Sequence, residues 1–582
     1  MVINKGQWKI GGEAGFGIMT AGDIFLKACA RGGLNGFGYI EYPSLIRGGH
    51  NTYQVAISDK PVRAQVHAVD VLVCLNKETA IFHKDELIAG AAVVYDPDKF
   101  QLTKEELGKE VILLAVPFSK IAVETAGMEL MANNVALGAS IAVFDYDIEI
   151  LTGIIAGQFK GKGEEIITKN VNAARAGYDF VKKIMTSQFH VQLRKGGKPK
   201  MTMSGNEAIG IGAIAAGCKF YSGYPMTPTS SLLHFMAAQE RKFGMTVKQA
   251  EDEISVINMA IGAGFAGVRA MVGTSGGGFC LMTEGLGLAA MTETPIVIIL
   301  GMRGGPSTGL PTWTEQGDLK FAMNASHGEF PRVVIAPGDM EELFYETMKA
   351  FNISEKYQTP VIVMHDKHLA EGHATVDSLD PKKIPLERGE RVTGPVENYL
   401  RYKITESGVS PRSLPGIPGN IYVANSDEHD ERGISTEESG PRKAMFDKRM
   451  RKIAHISKEM TKPKLYGPKR AKATIIAWGS TKGAVLDGMD LLQKEGIKVN
   501  LVHYTGMLPF PEEETKDLLK GKTPKIIMEI SNTGQLHSVI RMYTGIDIKN
   551  QFLKYDGRPL YPEEVVQEVK KLIKNDQPTT TK

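Results

Sequence analysis

Apolar residues recur along the chain in short runs, and polar or glycine-rich stretches separate them at regular intervals. A strand-like run from Gln7 to Ile10 opens the chain, followed by a glycine-rich turn and a helical pattern through Arg31. VDVLVCL (69–75), AAVVYD (91–96) and VILLAVP (111–117) then read as strands, with helical or loop segments between them. Strands alternating with helices predict an α/β layer on a mostly parallel sheet. The rhythm returns with RAMVGTS (269–275), PIVIIL (295–300), RVVIAP (332–337) and PVIVMH (360–365). It returns once more with ATIIAWG (473–479), VNLVHY (499–504) and KIIMEI (525–530).

Two stretches break this rhythm. QLRKGGKPKMTMSGN (192–206) is basic and polar and reads as a linker. Residues 381–468 are rich in charge, Pro, Gly and Ser, with little periodicity. They are too many for an ordinary connection, so a structured excursion over the other domains is expected. The organisation predicted is therefore a first α/β block at 1–190, a linker at 191–203, a second block at 204–380, the excursion at 381–468 and a third block at 469–582.

A chain of 582 residues exceeds what one core supports, which agrees with several domains. Charged residues make up 23% and the net charge is +3, giving no reason to expect nucleic acid or a membrane surface as partner. The N-terminus, MVINKGQWKI, shows no export or transit signal. The longest apolar region, about Val268 to Leu300, is interrupted by Glu284, Glu293, Pro295 and many glycines, so a buried strand–helix–strand is expected there. The four cysteines, Cys29, Cys74, Cys218 and Cys280, form no C-x-x-C pair. A zinc site, a cluster held by this chain alone, or a disulfide framework is not expected, and the usage suits a reducing cytoplasm. Electrons leaving through a cluster would need another polypeptide to ligate it.

GGEAGFG (11–17) joins a strand to a helix. Amides at such a helix start can bind an anion, but the spacing is not G-x-G-x-x-G, so a tight turn is the favoured role over dinucleotide binding. EYPSLIRGGHNTYQVAI (41–57) gathers Arg47, His50 and Asn51 in a polar loop entering a strand. In YPMTPTS (224–230) two prolines impose an extended, rigid turn. That turn presents Thr227, Thr229 and Ser230 at a helix start, where one hydroxyl can cap the helix and Thr227 can face a ligand. QAEDEISVINMAIGAGFAG (249–267) puts Glu251, Asp252 and Glu253 before a helix of small apolar residues. Glu251 and Asp252 fit capping, whereas Glu253 precedes so closely packed a segment that burial is expected, and a buried carboxylate needs a partner such as a cofactor ring nitrogen. RGGPSTGLPT (303–312) follows a strand directly, where ligands collect in open α/β sheets. Arg303 offers a fork for a carboxylate and Thr312 a hydroxyl. HDKHLAEGH (365–373) reads as a solvated loop rather than a metal site built on His365, His368 and His373.

Together, YPMTPTS, QAEDEISVINMAIGAGFAG and RGGPSTGLPT resemble the α subunit of 2-oxoacid:ferredoxin oxidoreductases. GGEAGFG and EYPSLIRGGHNTYQ resemble the γ domain that many of these subunits carry in front, and NTGQLHSVIRMYTG (532–545) with LKYDGRPLYPEEV (553–565) resembles the family's transketolase C-terminal-like domain. SGVSPRSLPGIPG (407–419) and DEHDERG (427–433), within the excursion, fit the same family. The resemblance implies an α/β, multidomain fold: a γ domain, a thiamine-diphosphate-binding-type (pyrimidine-side) domain and the C-terminal domain. It places Glu253 on N1′ of the thiamine aminopyrimidine, Thr227 facing the substrate carbonyl or thiazolium, Arg303 and Thr312 on the 2-oxoacid carboxylate, and Tyr224 and Pro225 beside the cofactor. Met226 and Thr229 depart from the common YPITPSS and leave Thr227 intact.

The chain lacks both a G-D-G…N diphosphate motif and cluster cysteines. The resemblance therefore implies a β subunit that carries thiamine diphosphate, Mg2+ and a [4Fe-4S] cluster, with the site at the α–β interface of an (αβ)2 heterotetramer. Coenzyme A is the implied co-substrate and ferredoxin the acceptor. The expected reaction is reversible oxidative decarboxylation of 2-oxoglutarate to succinyl-CoA. A broad-range 2-oxoacid or pyruvate enzyme is the alternative substrate reading, and a non-catalytic assembly or regulatory subunit the alternative of another class.

Overall fold

The computed structural model describes residues 1–45 and 48–575; Arg47 and the tail QPTTTK (577–582) lie outside them. Three large sheets carry the chain. The first has eight strands in the order Ile112–Ala115, Leu87–Tyr95, Val69–Cys74, Lys5–Glu13, His50–Ser58, Asn35–Glu41, His373–Val376 and Met201–Ser204. Only the first four run parallel; every pairing beyond Lys5–Glu13 is antiparallel. The expectation of a mostly parallel sheet therefore fails for half of it. Residues 42–49 are all that join Asn35–Glu41 to His50–Ser58, too few for the crossover that a parallel neighbour needs.

The second sheet orders Thr246–Gln249, Phe220–Gly223, Ala270–Ser275, Ile296–Met302, Pro360–Asp366 and Val333–Ile335 in parallel. Gly506–Leu508 closes its edge antiparallel. Ala270–Ser275 and Ile296–Met302 are buried at every position, as central strands covered by helices on both faces must be. The apolar stretch from 268 to 300 thus forms strand, helix Gly276–Met291 and strand, as its interruptions indicated. Among the described residues, no helix is long and apolar enough to cross a membrane.

The third sheet orders Lys464–Tyr466, Asn500–Tyr504, Thr474–Trp478, Lys525–Glu529 and Asn550–Leu553. One core runs through the second and third blocks, joining Val256, Ile298 and Ile362 to Trp478, Val502 and Leu536. The two blocks share this core, and Gly506–Leu508 of the third block pairs on the edge of the second sheet.

Residues 381–468 form a fastened strap whose main element is the helix Ser439–Glu459. Glu293, fully buried, accepts hydrogen bonds from Lys448 and Lys452 at 2.5 Å each. Arg401 donates to the Glu293 carbonyl at 2.9 Å. Arg412 donates to the carbonyls of Gly264 and Phe265, and Arg388 donates to that of Gly267 at 2.8 Å. Gly264 and Phe265 end the helix Glu253–Phe265 and Gly267 lies just beyond it, where the negative end of the helix dipole favours cations.

The run HDKH, expected to be solvated, is buried: His365, Asp366, Lys367 and His368 are each at most 4% exposed. Each finds a partner in a different part of the chain. His365 bonds Asn206 at 2.9 Å, Asp366 accepts from Ser480, Lys367 donates to the Ile40 carbonyl at 2.6 Å, and His368 bonds Gln65 at 2.9 Å. The run joins all three blocks, and His373 lies apart on the first sheet.

Candidate active site

The parallel strands of the second sheet end along one edge. Gly223 stands opposite both Gln249 and Gly273, Ser275 opposite Gly301, and Met302 opposite Asp366. Four segments leave that edge side by side: the turn 224–229, the helix at Glu253, the helix at Gly276 and the loop from Arg303. This is where an open α/β sheet binds its ligands, and it explains how residues 85 positions apart come to share one edge.

The turn 224–229 contains a cis peptide between Thr227 and Pro228. Thr229 is buried, but its hydroxyl donates to the Met226 carbonyl at 2.9 Å and does not cap the helix Ser230–Phe243. The Thr227 carbonyl accepts from Arg303 Nη1 at 2.8 Å. That bond ties two of the sequence-chosen residues together. Thr227 itself is half-buried, while Tyr224 and Pro225 lie exposed on the rim.

Asp252 caps the next helix, accepting from the Ser255 amide at 2.8 Å, while Glu251 is exposed. Glu253, the first helical residue, is 3% exposed, and its Oε1 is buried without a hydrogen-bond partner. Burial raises its pKa above the usual carboxylate value. The room beside it depends on Gly278, where a Cβ would collide with both Thr274 Oγ1 and the Glu253 carboxyl. A buried carboxyl with one oxygen unsatisfied fits a ligand that offers it a hydrogen-bond donor.

The loop from Arg303 folds back on itself through an antiparallel bridge between Gly304 and Leu310. Trp313 accepts from the Gly304 amide at 3.3 Å, bringing the end of the RGGPSTGLPT motif beside its start. Thr312 is buried there with its hydroxyl unpartnered. Arg303 is half-buried, and burial lowers its pKa against the opposing pull of Asp318. Among the described residues, Arg303 and Asp318 do not form an ion pair. The rest of the loop is anchored on the third block, with Gln316 as the main tie. Its amide donates to Ile530 O at 2.6 Å, and its side chain accepts from Ile530 N at 2.9 Å and donates to Trp478 O at 2.8 Å.

All six sequence-chosen residues thus lie along this edge: Arg303 bonds Thr227, Glu253 and Thr312 carry unpartnered atoms, and Tyr224 and Pro225 form the rim. Sequence reasoning missed Gly278, Glu315, Gln316 and Asp318. Two signals pointed to them: the glycine run at 276–278 after a strand, and the acids of WTEQGDL (313–319) just beyond the RGGPSTGLPT motif.

Three family models match in order. Residues 7–180 match pyruvate ferredoxin/flavodoxin oxidoreductase, residues 211–447 its thiamine-diphosphate-binding part, and residues 471–565 core domain II of pyruvate:ferredoxin oxidoreductase. The 2-oxoacid:ferredoxin oxidoreductase subunit alpha of Sulfolobus sp is 36% identical over 98% of this chain and 97% of its own. The 2-oxoglutarate synthase subunit KorA of Methanothermobacter thermautotrophicus is 34% identical over 64% of this chain and 98% of its own. The 2-oxoglutarate:ferredoxin oxidoreductase of Magnetococcus marinus, solved with 2-oxoglutarate, coenzyme A and succinyl-CoA bound, superposes with a TM-score of 0.91 at 33% identity, covering 98% of this chain and 100% of that one. The chain belongs to the family of 2-oxoacid:ferredoxin oxidoreductase α subunits.

Proposed function

We propose that this chain is the α subunit of a 2-oxoglutarate:ferredoxin oxidoreductase, working in the cytoplasm in an (αβ)2 assembly. The reaction is the reversible conversion of 2-oxoglutarate and coenzyme A to succinyl-CoA and CO2, with two electrons passed singly to ferredoxin. The observation that carries the reading is Glu253: a buried carboxyl with an unsatisfied oxygen, seated in the room left by the missing side chain of Gly278 and sharing one sheet edge with Arg303. In this reading residues 1–190 are the γ-type domain, 204–380 the pyrimidine-side domain and 469–582 the transketolase C-terminal-like domain.

Thiamine diphosphate, when bound, supplies the electron sink that decarboxylation of a 2-oxoacid requires. Glu253 holds its aminopyrimidine through a proton shared with a ring nitrogen, and burial favours that shared proton by holding the carboxyl pKa up. Arg303, fixed by Thr227, presents its remaining N–H donors to the 2-oxoacid carboxylate, and the Thr312 hydroxyl is free to join them. Thr227 stands beside the reacting carbonyl, with Tyr224 and Pro225 at the rim. The β subunit holds the diphosphate, Mg2+ and the [4Fe-4S] cluster. Ile254 and Met259, exposed on the helix that Glu253 begins, and Leu281, exposed on the helix Gly276–Met291, supply apolar surface for it.

The test is reduction of a viologen dye by the co-purified complex with thiamine diphosphate, Mg2+ and coenzyme A, comparing 2-oxoglutarate with pyruvate. Strong 2-oxoglutarate activity that disappears in Glu253→Ala is expected. Activity on pyruvate alone would overturn the substrate, and no activity with any 2-oxoacid from a folded complex would favour a non-catalytic subunit.

A further inference from the structure

Asp318 ends the loop that Arg303 begins, and no function described above uses it. Its side chain lies against the start of the helix Gly276–Met291: a Cβ at Gly276 would fall 2.5 Å from Asp318 Oδ2 and 3.1 Å from Oδ1. It precedes the helix Leu319–Asn324 but makes no side-chain capping bond there. Among the described residues its carboxyl has no hydrogen-bond partner, and Arg303 is near enough to act on it electrostatically without forming an ion pair. A carboxylate serving structure would cap a helix or close a salt bridge. Asp318 does neither, and it lies at the start of the helix Gly276–Met291, which leaves the same sheet edge as the loop that Arg303 begins.

We propose that Asp318 is a proton-accepting neighbour of the bound 2-oxoacid, taking up a proton from solvent when the substrate carboxylate settles on Arg303 and then donating a hydrogen bond to that carboxylate. The proposal rests on the reading of Arg303 as the carboxylate ligand. The groups that face Asp318 are Arg303 at the loop's start, Glu315 within the loop and Cys280 on the helix Gly276–Met291. Burial holds its pKa up at about 6, and Arg303 opposes that rise. A substrate anion on Arg303 cancels the opposition and adds a like charge, and both effects favour the protonated form. An ionised Asp318 would repel the substrate, whereas a protonated one offers it a donor. The loop is held by Gln316 on the third block, so the two side chains meet the substrate in a fixed relation.

The experiment is a calorimetric titration of 2-oxoglutarate into the co-purified complex, depleted of thiamine diphosphate to prevent turnover. It is run at pH 7 in phosphate and in Tris, whose protonation enthalpies differ. The wild type should take up on the order of half a proton per substrate bound, and its affinity should fall about fivefold from pH 6 to pH 8, as linkage gives for a rise of about one pKa unit. In Asp318→Asn, and in Asp318→Ser as a second non-titrating variant, uptake should vanish and affinity should become flat with pH. Glu315→Gln should keep the uptake. Equal uptake in the Asp318 variants, or none in a wild type that binds substrate, overturns the proposal and leaves the Arg303 reading standing. A wild-type complex that neither binds nor oxidises any 2-oxoacid overturns both.

Discussion

The carboxyl of Glu253 and the absent side chain of Gly278 are fitted to each other: a Cβ at 278 would fall 2.4 Å from Glu253 Oε1 and 2.0 Å from Thr274 Oγ1. Gly278→Ala is therefore expected to push that carboxyl out of place without harming the helix, since Ala favours a helix over Gly by about 1 kcal/mol. A displacement of about 1 Å at a reacting centre can lower activity by about 100-fold. We expect kcat/KM for 2-oxoglutarate to fall by about that factor, with the circular dichroism spectrum unchanged. Wild-type activity in Gly278→Ala would show that Glu253 does not need this space.

Gln316 is a positioning residue, tying the substrate loop to Trp478 and Ile530 of the third block by three bonds of 2.6–2.9 Å. Gln316→Ala strands the buried Ile530 amide, at about 1–3 kcal/mol, and leaves the Trp478 carbonyl with the Thr481 hydroxyl as its remaining side-chain donor. With the loop loosened, KM for the 2-oxoacid should rise severalfold while kcat falls less. Steady-state kinetics decides it: a loss confined to kcat would mean that the tie does not position the carboxylate ligands.

Much of this arrangement was legible in the chain. Unbroken apolar runs marked every strand of the second and third blocks except the short ones, and the small residues after Glu253 foretold its burial. What stayed hidden depended on partners distant in sequence. HDKH looked like a solvated loop because its neighbours in the chain partner only Asp366, through the Leu369 amide, and Lys367, through Glu371, and leave both histidines without a partner. Ser480, Gln65, Asn206 and Ile40, which complete the set, lie from 114 to 327 positions away. Asp318 was missed for the same reason: only the fold sets it against Gly276 and Arg303. Asn35–Glu41 was missed because NGFGYIE carries too many glycines to read as a strand.

Glu293 anchors the strap through Lys448 and Lys452, and all three side chains are buried. The two ammonium groups hold the Glu293 carboxyl well below the usual carboxylate range despite its burial. Removing one partner of a buried ionic cluster leaves an uncompensated charge and costs about 3–5 kcal/mol. Glu293→Gln should lower the thermal midpoint of the complex and make the segment around Ser439–Glu459 exchange its amides faster. The triple change of Glu293, Lys448 and Lys452 to uncharged residues of similar volume should recover much of the loss. A Glu293→Gln protein as stable as the wild type would remove the strap's buried anchor from the account.

Glu529 ends a strand of the third sheet and accepts hydrogen bonds from the Gln535 and Leu536 amides at 3.1 Å, at the start of the helix Gln535–Thr544. Burial is the larger influence, and it carries the carboxyl up to about 7 against those amides. A carboxyl whose folded pKa lies above its unfolded value of about 4.3 binds more protons in the folded state. Its contribution to stability is complete below about pH 4.3 and is lost as pH rises toward 7, by an amount on the order of 3 kcal/mol. Glu529→Gln keeps an acceptor for the helix amides and removes the titration. The thermal midpoint of the variant relative to wild type should therefore climb between pH 5 and pH 8, and parallel pH profiles would show that Glu529 stays ionised throughout. The residue after Glu529 is Ile530, to which Gln316 is bonded, so any loosening above pH 7 falls where the substrate loop is anchored. A rise in the 2-oxoacid KM of the wild type over the same interval, absent in Glu529→Gln, would locate that effect at the anchor. The loss of affinity tied to Asp318 instead survives the substitution at 529.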